Sequence, residues 1–345
     1  MVDTPEFVSG SAGHEEVGRA HGRTGWRSLP FATRWSINFG ALLLALVGTV
    51  AILNSTFYSA SGFVSSYLDS IAAGDTTAAL AGADIERDAA TSTPLIAPLP
   101  GELDRMQLLS DTVRSNGTHL LLFSFTLRGS AHRASFTVRP DAALWLVFSG
   151  WRFAESPFGT LTVTSHGDAE FTANGHRFIT AGAGLSAEYA VLLPALVTLS
   201  HDSPYLVAAP TEVTVLNAAT TVTAEVTPAP KPRFVAEVQK QLSALLDSCV
   251  TQTVLQPTGC PFGQDINNEV EGPPHWSMRS YPRLTIIPGA TEGTWVVPPS
   301  AGTAHLVVPV RSLYDGSRSV FDRDVPFSVS YSIGFTDRGV SISSR

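Results

Sequence analysis

The chain holds two cysteines, Cys249 and Cys260, separated by VTQTVLQPTG, with Pro257 and Gly259 placed to turn the backbone back on itself. In an oxidising compartment a lone pair of cysteines most simply forms a disulfide. A redox couple and a metal site are the competing chemistries. Redox couples usually sit closer together at a helix N-terminus, whereas Cys249 falls at the C-terminal end of a helical pattern, where the helix dipole disfavours a thiolate. The expected role is a structural bridge worth roughly 3 kcal/mol for a loop of this size. His166, Asp168 and Glu170 could be drawn as metal ligands. However, His166 and Asp168 flank Gly167 in what reads as a hairpin turn, where solvated polar residues are expected anyway, and no fourth ligand is placed. His275, within EGPPHW, reads as a loop residue beside Trp276. The chain contains no G-x-S-x-G elbow, no Walker loop and no G-x-G-x-x-G. No catalytic, metal or cofactor-binding residue is therefore assigned, and the expectation is a protein that is not an enzyme.

Composition narrows the field further. The 345 residues, with a formal charge of −8, make a bulk electrostatic grip on nucleic acid improbable. Two cysteines exclude a four-cysteine zinc ribbon, an iron–sulfur protein and a disulfide-dense scaffold. Twenty arginines to two lysines, with abundant alanine, suggest a GC-rich bacterial genome.

The strongest positional signal is INFGALLLALVGTVAILNSTF, residues 37–57, an uncharged run of the length a helix needs to cross a bilayer. Arg34, Trp35 and Tyr58 are the expected membrane-interface residues, because aromatic and basic side chains favour the headgroup layer. Arg19, Arg23, Arg27 and Arg34 precede the run without an intervening acid, while the first basic residue beyond it is Arg87. The positive-inside rule then puts residues 1–34 in the cytoplasm and the remainder outside, as a single-pass cell-membrane protein. A secretory leader normally has a shorter apolar stretch and a shorter basic region, so an uncleaved anchor is expected. Residues 1–34 carry too few aliphatic side chains to fold alone and read as a disordered tail touching lipid.

The anchor, residues 35–58, leads into an α+β region over 59–156. Phe63, Val64, Tyr67, Leu68 and Ile71 recur at helical spacing, and Gly74-Asp75 starts a second short helix. Strands are expected at Met106–Val113, His119–Leu127, Ala134–Val138 and Ala143–Phe153, punctuated by Asn116-Gly117, Arg128-Gly129 and Pro140-Asp141. Trp145, Phe148, Trp151 and Phe153 crowd the last of these; core packing is the simpler account, a pocket lining the other. Residues 157–227 read as a small β-sandwich-like module, with strands at Leu161–Ser165, Ala169–Ala173, Arg177–Thr180, Tyr189–Leu199, Glu212–Leu216 and Thr221–Val226 and a tight turn at Asn174-Gly175. Residues 228–232 form a proline-rich linker. In 233–345, Phe234, Val238, Leu242, Leu245, Leu246 and Cys249 line one helix face. Strands are expected after it at Arg283–Ile287, Thr294–Val297, His305–Val310, Pro326–Phe335 and Gly339–Ile342. The repeated order of helix then antiparallel strands suggests a diverged duplication.

The segments VSSYLDSIAAGD (64–75), AEFTANGHRF (169–178) and SCVTQTVLQPTGCPFG (248–263) resemble actinobacterial single-pass membrane proteins of unknown function, similar to the TcaA-type envelope proteins of Gram-positive bacteria. The resemblance implies a cystatin-like or nuclear-transport-factor-like α+β fold opening at Tyr67, Leu68, Gly74 and Asp75. It also implies a middle β-module turning at Asn174-Gly175, a paired Cys249 and Cys260, and a non-enzymatic envelope role. Many such proteins carry a zinc ribbon before the span; no cysteine stands there in this chain, so no zinc-linked role carries over. Pro194-Ala195-Leu196 departs from the Pro-Gly their middle module often shows. The expected partners are the bilayer and either cell-wall polymer or another membrane protein. The alternative is an extracytoplasmic small-molecule binder or sensor, which would show as an enclosed polar pocket near Tyr67 or Trp145.

Overall fold

The computed structural model describes residues 31–83, 93–144, 148–218, 220–336 and 339–344. The tail assigned to residues 1–34 lies outside them up to residue 30, as do Arg87 and Trp145. The chain divides into a unit ending at Leu53 and a second unit from Asn54 onward.

Helix α1 (Phe31–Ser55) is apolar on all sides, and the stretch Trp35–Ser55 has a mean hydropathy of 2.2 with none of it buried in the protein. Its 21 residues rise about 31 Å, enough to cross a hydrocarbon core. The Thr49 hydroxyl donates to the Ala45 carbonyl at 2.8 Å, which satisfies it within the helix.

In the second unit α2 (Ala60–Ala73) is capped at both ends. The Ser59 hydroxyl accepts from Gly62 N–H, and Gly74, at φ 71°, returns its N–H to Ile71. Asp75 then caps the short α3 (Thr76–Gly82). After β1 (Leu95–Ile96), the strands β2 (Leu103–Val113), β3 (His119–Leu127), β4 (Ser130–Leu144) and β5 (Phe148–Phe153) form an antiparallel meander in chain order. Leu121, Phe123, Phe125 and Leu127 alternate inward on β3, and Ala134, Phe136 and Val138 on β4. They meet Val64, Tyr67, Leu68 and Ile71 of α2 in one core. Arg128 (φ 44°) and Gly129 (φ 84°) make the two-residue turn between β3 and β4, for which positive φ at both positions is required.

The strands β6 (Phe158–Ser165), β7 (Glu170–Ala173), β8 (His176–Ile179), β9 (Ser186–Leu192), β10 (Ala195–Asp202), β11 (Leu206–Val215), β12 (Thr221–Val226) and β13 (Ala229–Pro230) follow. They and β1 divide between a sheet ordered β1-β9-β6-β12 and one ordered β13-β11-β10-β7-β8. The two share a core containing Leu161, Val163, Phe171, Tyr189, Val191, Val197 and Leu199. Asn174 (φ 49°) and Gly175 (φ 78°) make the expected tight turn.

Helix α4 (Pro232–Val250) begins on a proline, whose missing N–H costs nothing there, and buries Phe234, Val238, Leu242, Leu246 and Cys249 along one stripe. It packs on a sheet of β14 (Glu269–Val270), β15 (His275–Ser280), β16 (Ile287–Pro288), β17 (Trp295–Arg311), β18 (Arg318–Thr336) and β19 (Gly339–Ser344), around Trp295. The described residues are thus α+β, with one apolar N-terminal helix, three further helices and mostly strands.

Several sequence expectations change. Pro140-Asp141 is no turn, since β4 continues to Leu144; Ala143-Leu144 belong to it rather than to the next strand, and 145–147 lie outside the described residues. His166-Gly167-Asp168 makes no hairpin: β6 pairs with β9 and β12, and the turn carries the chain into the other sheet. The run Tyr189–Leu199 breaks at the cis Leu193-Pro194 bond into β9 and β10, which lie in different sheets. Of Arg283–Ile287 only Ile287 is in a strand, and Thr294–Val297 and His305–Val310 belong to one strand, β17. The proline-rich linker is tied down, with Ala229–Pro230 pairing to β11.

Candidate functional site

The segment between α1 and α2 is too short to wander: Asn54 to Ser59 must leave one helix and cap the next. It is fixed to the edge of the first sheet by three contacts. Ser149 N–H donates to Asn54 Oδ1 at 3.0 Å, Trp151 Nε1–H donates to the Tyr58 carbonyl at 2.8 Å, and the Tyr58 ring stacks on Phe148 with centroids 4.3 Å apart. Two glycines permit the approach. A Cβ on Gly62 would stand 2.3 Å from the Thr56 carbonyl oxygen, and one on Gly150 would stand 2.1 Å from that of Ala142. The result is a half-open pocket of about 310 Å³, walled by Phe57, Tyr58, Phe63 and Trp151, with Ser66 and Asp141 contributing polar groups. Edge-on to Trp151, at 4.8 Å, lies His119, whose Nδ1 is 2.8 Å from Asp111.

Of the expected interface residues, Trp35 is exposed near the start of α1, and Arg34 lies in α1 with its side chain outside the described set. Tyr58 is half-buried in the joint just described, and its neighbour Phe57 is the exposed aromatic, at 76%. Sequence reasoning missed Asn54 and the paired glycines. The available signal was Gly150 inside an aromatic strand, where glycine marks a close backbone approach.

Tyr67 does not face an enclosed polar pocket. It is buried against Phe136 and Phe153, and its hydroxyl donates to the Leu193 carbonyl at 2.8 Å. Burial pushes its phenol well above the usual range, only partly offset by that hydrogen bond. A separate cleft of about 320 Å³, half-open to solvent, has Phe136, Phe153 and Leu193 among its walls, with Glu155, Asn217 and Thr220 as polar lining.

His166, Asp168 and Glu170 diverge. His166 Nδ1 meets Glu292 at 3.2 Å and its Nε2 lies 3.8 Å from Glu225; Asp168 lies 3.7 Å from His201 Nε2; Glu170 pairs with Arg177 at 3.0 Å. Among the described residues no three histidine, cysteine, aspartate or glutamate side chains are grouped to hold a metal. The His166 loop is instead gripped by the C-terminal sheet, with Trp295 Nε1–H donating to the Gly167 carbonyl at 3.3 Å. His275 opens β15 as an exposed residue beside the buried Trp276. Cys249 and Cys260 are disulfide-bonded, with Cα atoms 5.8 Å apart, tying the end of α4 to the turn at Pro257. Other ionisable groups pair at module edges: Arg128 bridges Glu102 and Glu212, and Lys231 holds Asp202, whose carboxyl is lowered by that hydrogen bond.

Comparison of the chain with protein-family models, with curated proteins and with solved structures finds no match.

Proposed function

We propose that this is a single-pass membrane protein that holds its β-rich unit on the extracytoplasmic side. There the unit engages cell-envelope components, cell-wall polymer or a membrane protein, without catalysing a reaction. The observation that carries this reading is α1, long enough to span and unburied along its apolar length; a soluble core helix of that composition would be covered by protein. Orientation follows from the four arginines between residues 19 and 34, against none from 35 to 86. The Cys249–Cys260 bridge suits an oxidising compartment. The resemblance read from segments 64–75, 169–178 and 248–263 to TcaA-type envelope proteins would imply the same location. A non-catalytic role fits the described ionisable side chains that are spent on ion pairs at module edges, Arg128 with Glu102, His166 with Glu292 and Lys231 with Asp202 among them.

The test is accessibility of introduced cysteines in intact cells to a membrane-impermeant maleimide. Ser343→Cys should label and Thr4→Cys should be protected until the cells are opened. Labelling of both, or of Thr4→Cys alone, overturns the orientation.

A further inference from the structure

Strand β4 is paired on one side over residues 130–138 by β3, whereas β5 pairs with it only from Val138 onward. The two-residue turn makes Leu127 and Ser130 a hydrogen-bonded pair, and such pairs recur at every second residue of an antiparallel ladder. The main chains of Ala131, Arg133, Ser135 and Thr137 therefore point away from β3. Thr137 shows the direction, since its carbonyl accepts from the Ala154 N–H at 2.8 Å, on the β5 side. Past that bond β5 leaves the sheet. Ala131, Arg133 and Ser135, all exposed, then present a row of N–H and C=O groups about 7 Å apart that meets no other strand among the described residues. Such a row is a template for an added strand.

The cleft of about 320 Å³ stands at the start of this row, where β5 would run if it continued. Ser135 and Thr137, on one face of β4, form one wall, and Glu155, Ser156 and Pro157 of the departing chain form another. Its volume, the share of roughly ten liquid waters, admits a long side chain. Glu155 is its one charged wall, with no lysine or arginine in the lining. Among the described residues nothing pairs with the exposed Glu155 carboxylate, nor with the exposed guanidinium of Arg133, which shares the face of Ser135 two positions along the row. A strand antiparallel to β4 meets Ser135 first and Arg133 two residues later. It sets one side chain against Glu155 and the next on that face against Arg133, so a basic and then an acidic residue complement the edge.

We propose that the free edge of β4 binds an extended peptide segment of a protein partner by strand addition, reading a basic-x-acidic pattern through the cleft at Glu155 and through Arg133. This deepens the partner-binding reading above, and rests on it, by committing to a protein. A glycan would satisfy the hydroxyls and amide of the cleft but leave the main-chain row unpaired.

The experiment uses the full chain in phosphatidylcholine nanodiscs and a capped, fluorescein-labelled heptapeptide, Thr-Val-Lys-Val-Glu-Val-Thr, with polarisation as the readout and empty nanodiscs as the blank. The counterpart Thr-Val-Glu-Val-Lys-Val-Thr, identical in composition, should bind about tenfold more weakly, because two cross-strand charge pairs turn from attractive to repulsive. Glu155→Lys with Arg133→Glu, both at exposed positions, should invert that order. N-methylation of the peptide's lysine and glutamate nitrogens, which face β4, should abolish binding. N-methylation of the valine between them, whose N–H points away, should leave it unchanged, a comparison that does not touch the fold of the protein. Equal binding of the two sequences overturns the charge pattern. Indifference to N-methylation, or the same loss at the valine, overturns strand addition. Competition by acetyl-lysine amide as strong as by the heptapeptide reduces the site to an amine cleft and overturns it too. Absence of binding by both peptides overturns the site altogether, while the orientation of the chain is read separately by the maleimide labelling.

Discussion

Tyr67→Phe isolates one buried hydroxyl that joins the first α+β region to the middle sandwich. Its oxygen donates to the Leu193 carbonyl at 2.8 Å, and Leu193 itself is buried, so the phenylalanine variant leaves that carbonyl without this donor. Losing one partner of a buried hydrogen bond costs about 1–3 kcal/mol, while the ring and its contacts with Phe136 and Phe153 are kept. The variant should therefore be less stable than wild type by that amount near neutral pH. Alkali should reverse the order. Burial raises the folded-state pKa of the phenol above its unfolded value of about 10. Stability from keeping the proton is then fully present below about pH 10, and it falls as pH rises beyond, at roughly 1.4 kcal/mol per pH unit. Phenylalanine cannot ionise, and the other tyrosines with raised pKa, Tyr189, Tyr281 and Tyr331, are common to both proteins and cancel. The wild-type advantage should shrink above about pH 10 and vanish within roughly two further units. Urea unfolding of the full chain in nanodiscs, followed by near-UV circular dichroism from neutral pH into alkali, measures the difference directly. A gap that stays constant through alkaline pH would refute the burial argument, and a gap near zero at pH 7 would refute the hydrogen bond.

The disulfide closes a loop with a sequence separation of 11, for which chain entropy gives about 2.8 kcal/mol. Cys260→Ser should lower the stability of the C-terminal region by about that much on the same urea assay, and an unchanged midpoint would mean the bridge constrains nothing. At the tip between β17 and β18, hydrogen bonds from the Ser312 hydroxyl and from Ser317 hold the Asp315 carboxyl at a pKa of about 2. Its contribution is present above the unfolded carboxylate value of about 3.9 and lost as pH falls through about 2. The Ser317 amide should shift in NMR with that low midpoint, and titration at the ordinary aspartate value would show the tip hydrogen bonds absent.

What the sequence announced was local. The apolar run, the helix stripe of Phe234 to Cys249 and the Asn174-Gly175 turn each declare themselves within a few residues, because helix periodicity and positive φ are properties of neighbours. What it hid depends on pairing. A proline in a sequence argues against a strand interior, yet Pro140, Pro298-Pro299 and Pro326 lie inside β4, β17 and β18. Pro140 and Pro326 lie where the strand has a ladder on one side only, and Pro298-Pro299 fall in the register irregularity between Val297 and Ser300, paired on neither side. The β3 pairing of β4 stops at Val138, β15 and β16 contact β17 on either side of residues 297–302, and β18 meets β19 only from Tyr331 onward. A missing N–H is harmless at a local edge. The joint between α1 and α2 is equally hidden, since Asn54 and Ser149 are 95 positions apart.

The same logic explains the run AVLLPALV, residues 190–197, which lacks the alternation of a half-buried strand. Leu192 and Leu196 belong to the core under α2, whereas Val191, Leu193, Ala195 and Val197 belong to the sandwich core, so both faces are buried against different partners. Leu206 likewise serves the C-terminal core. The sandwich also takes β1 from before residue 157 and β13 from beyond 227. A cut at those two positions would strip an edge strand from each sheet and expose core leucines on both flanks. The middle module is therefore the piece through which the joint at Asn54–Ser59 and the disulfide-bonded end are held together, and a force applied at either end must pass through shared cores rather than through a flexible linker.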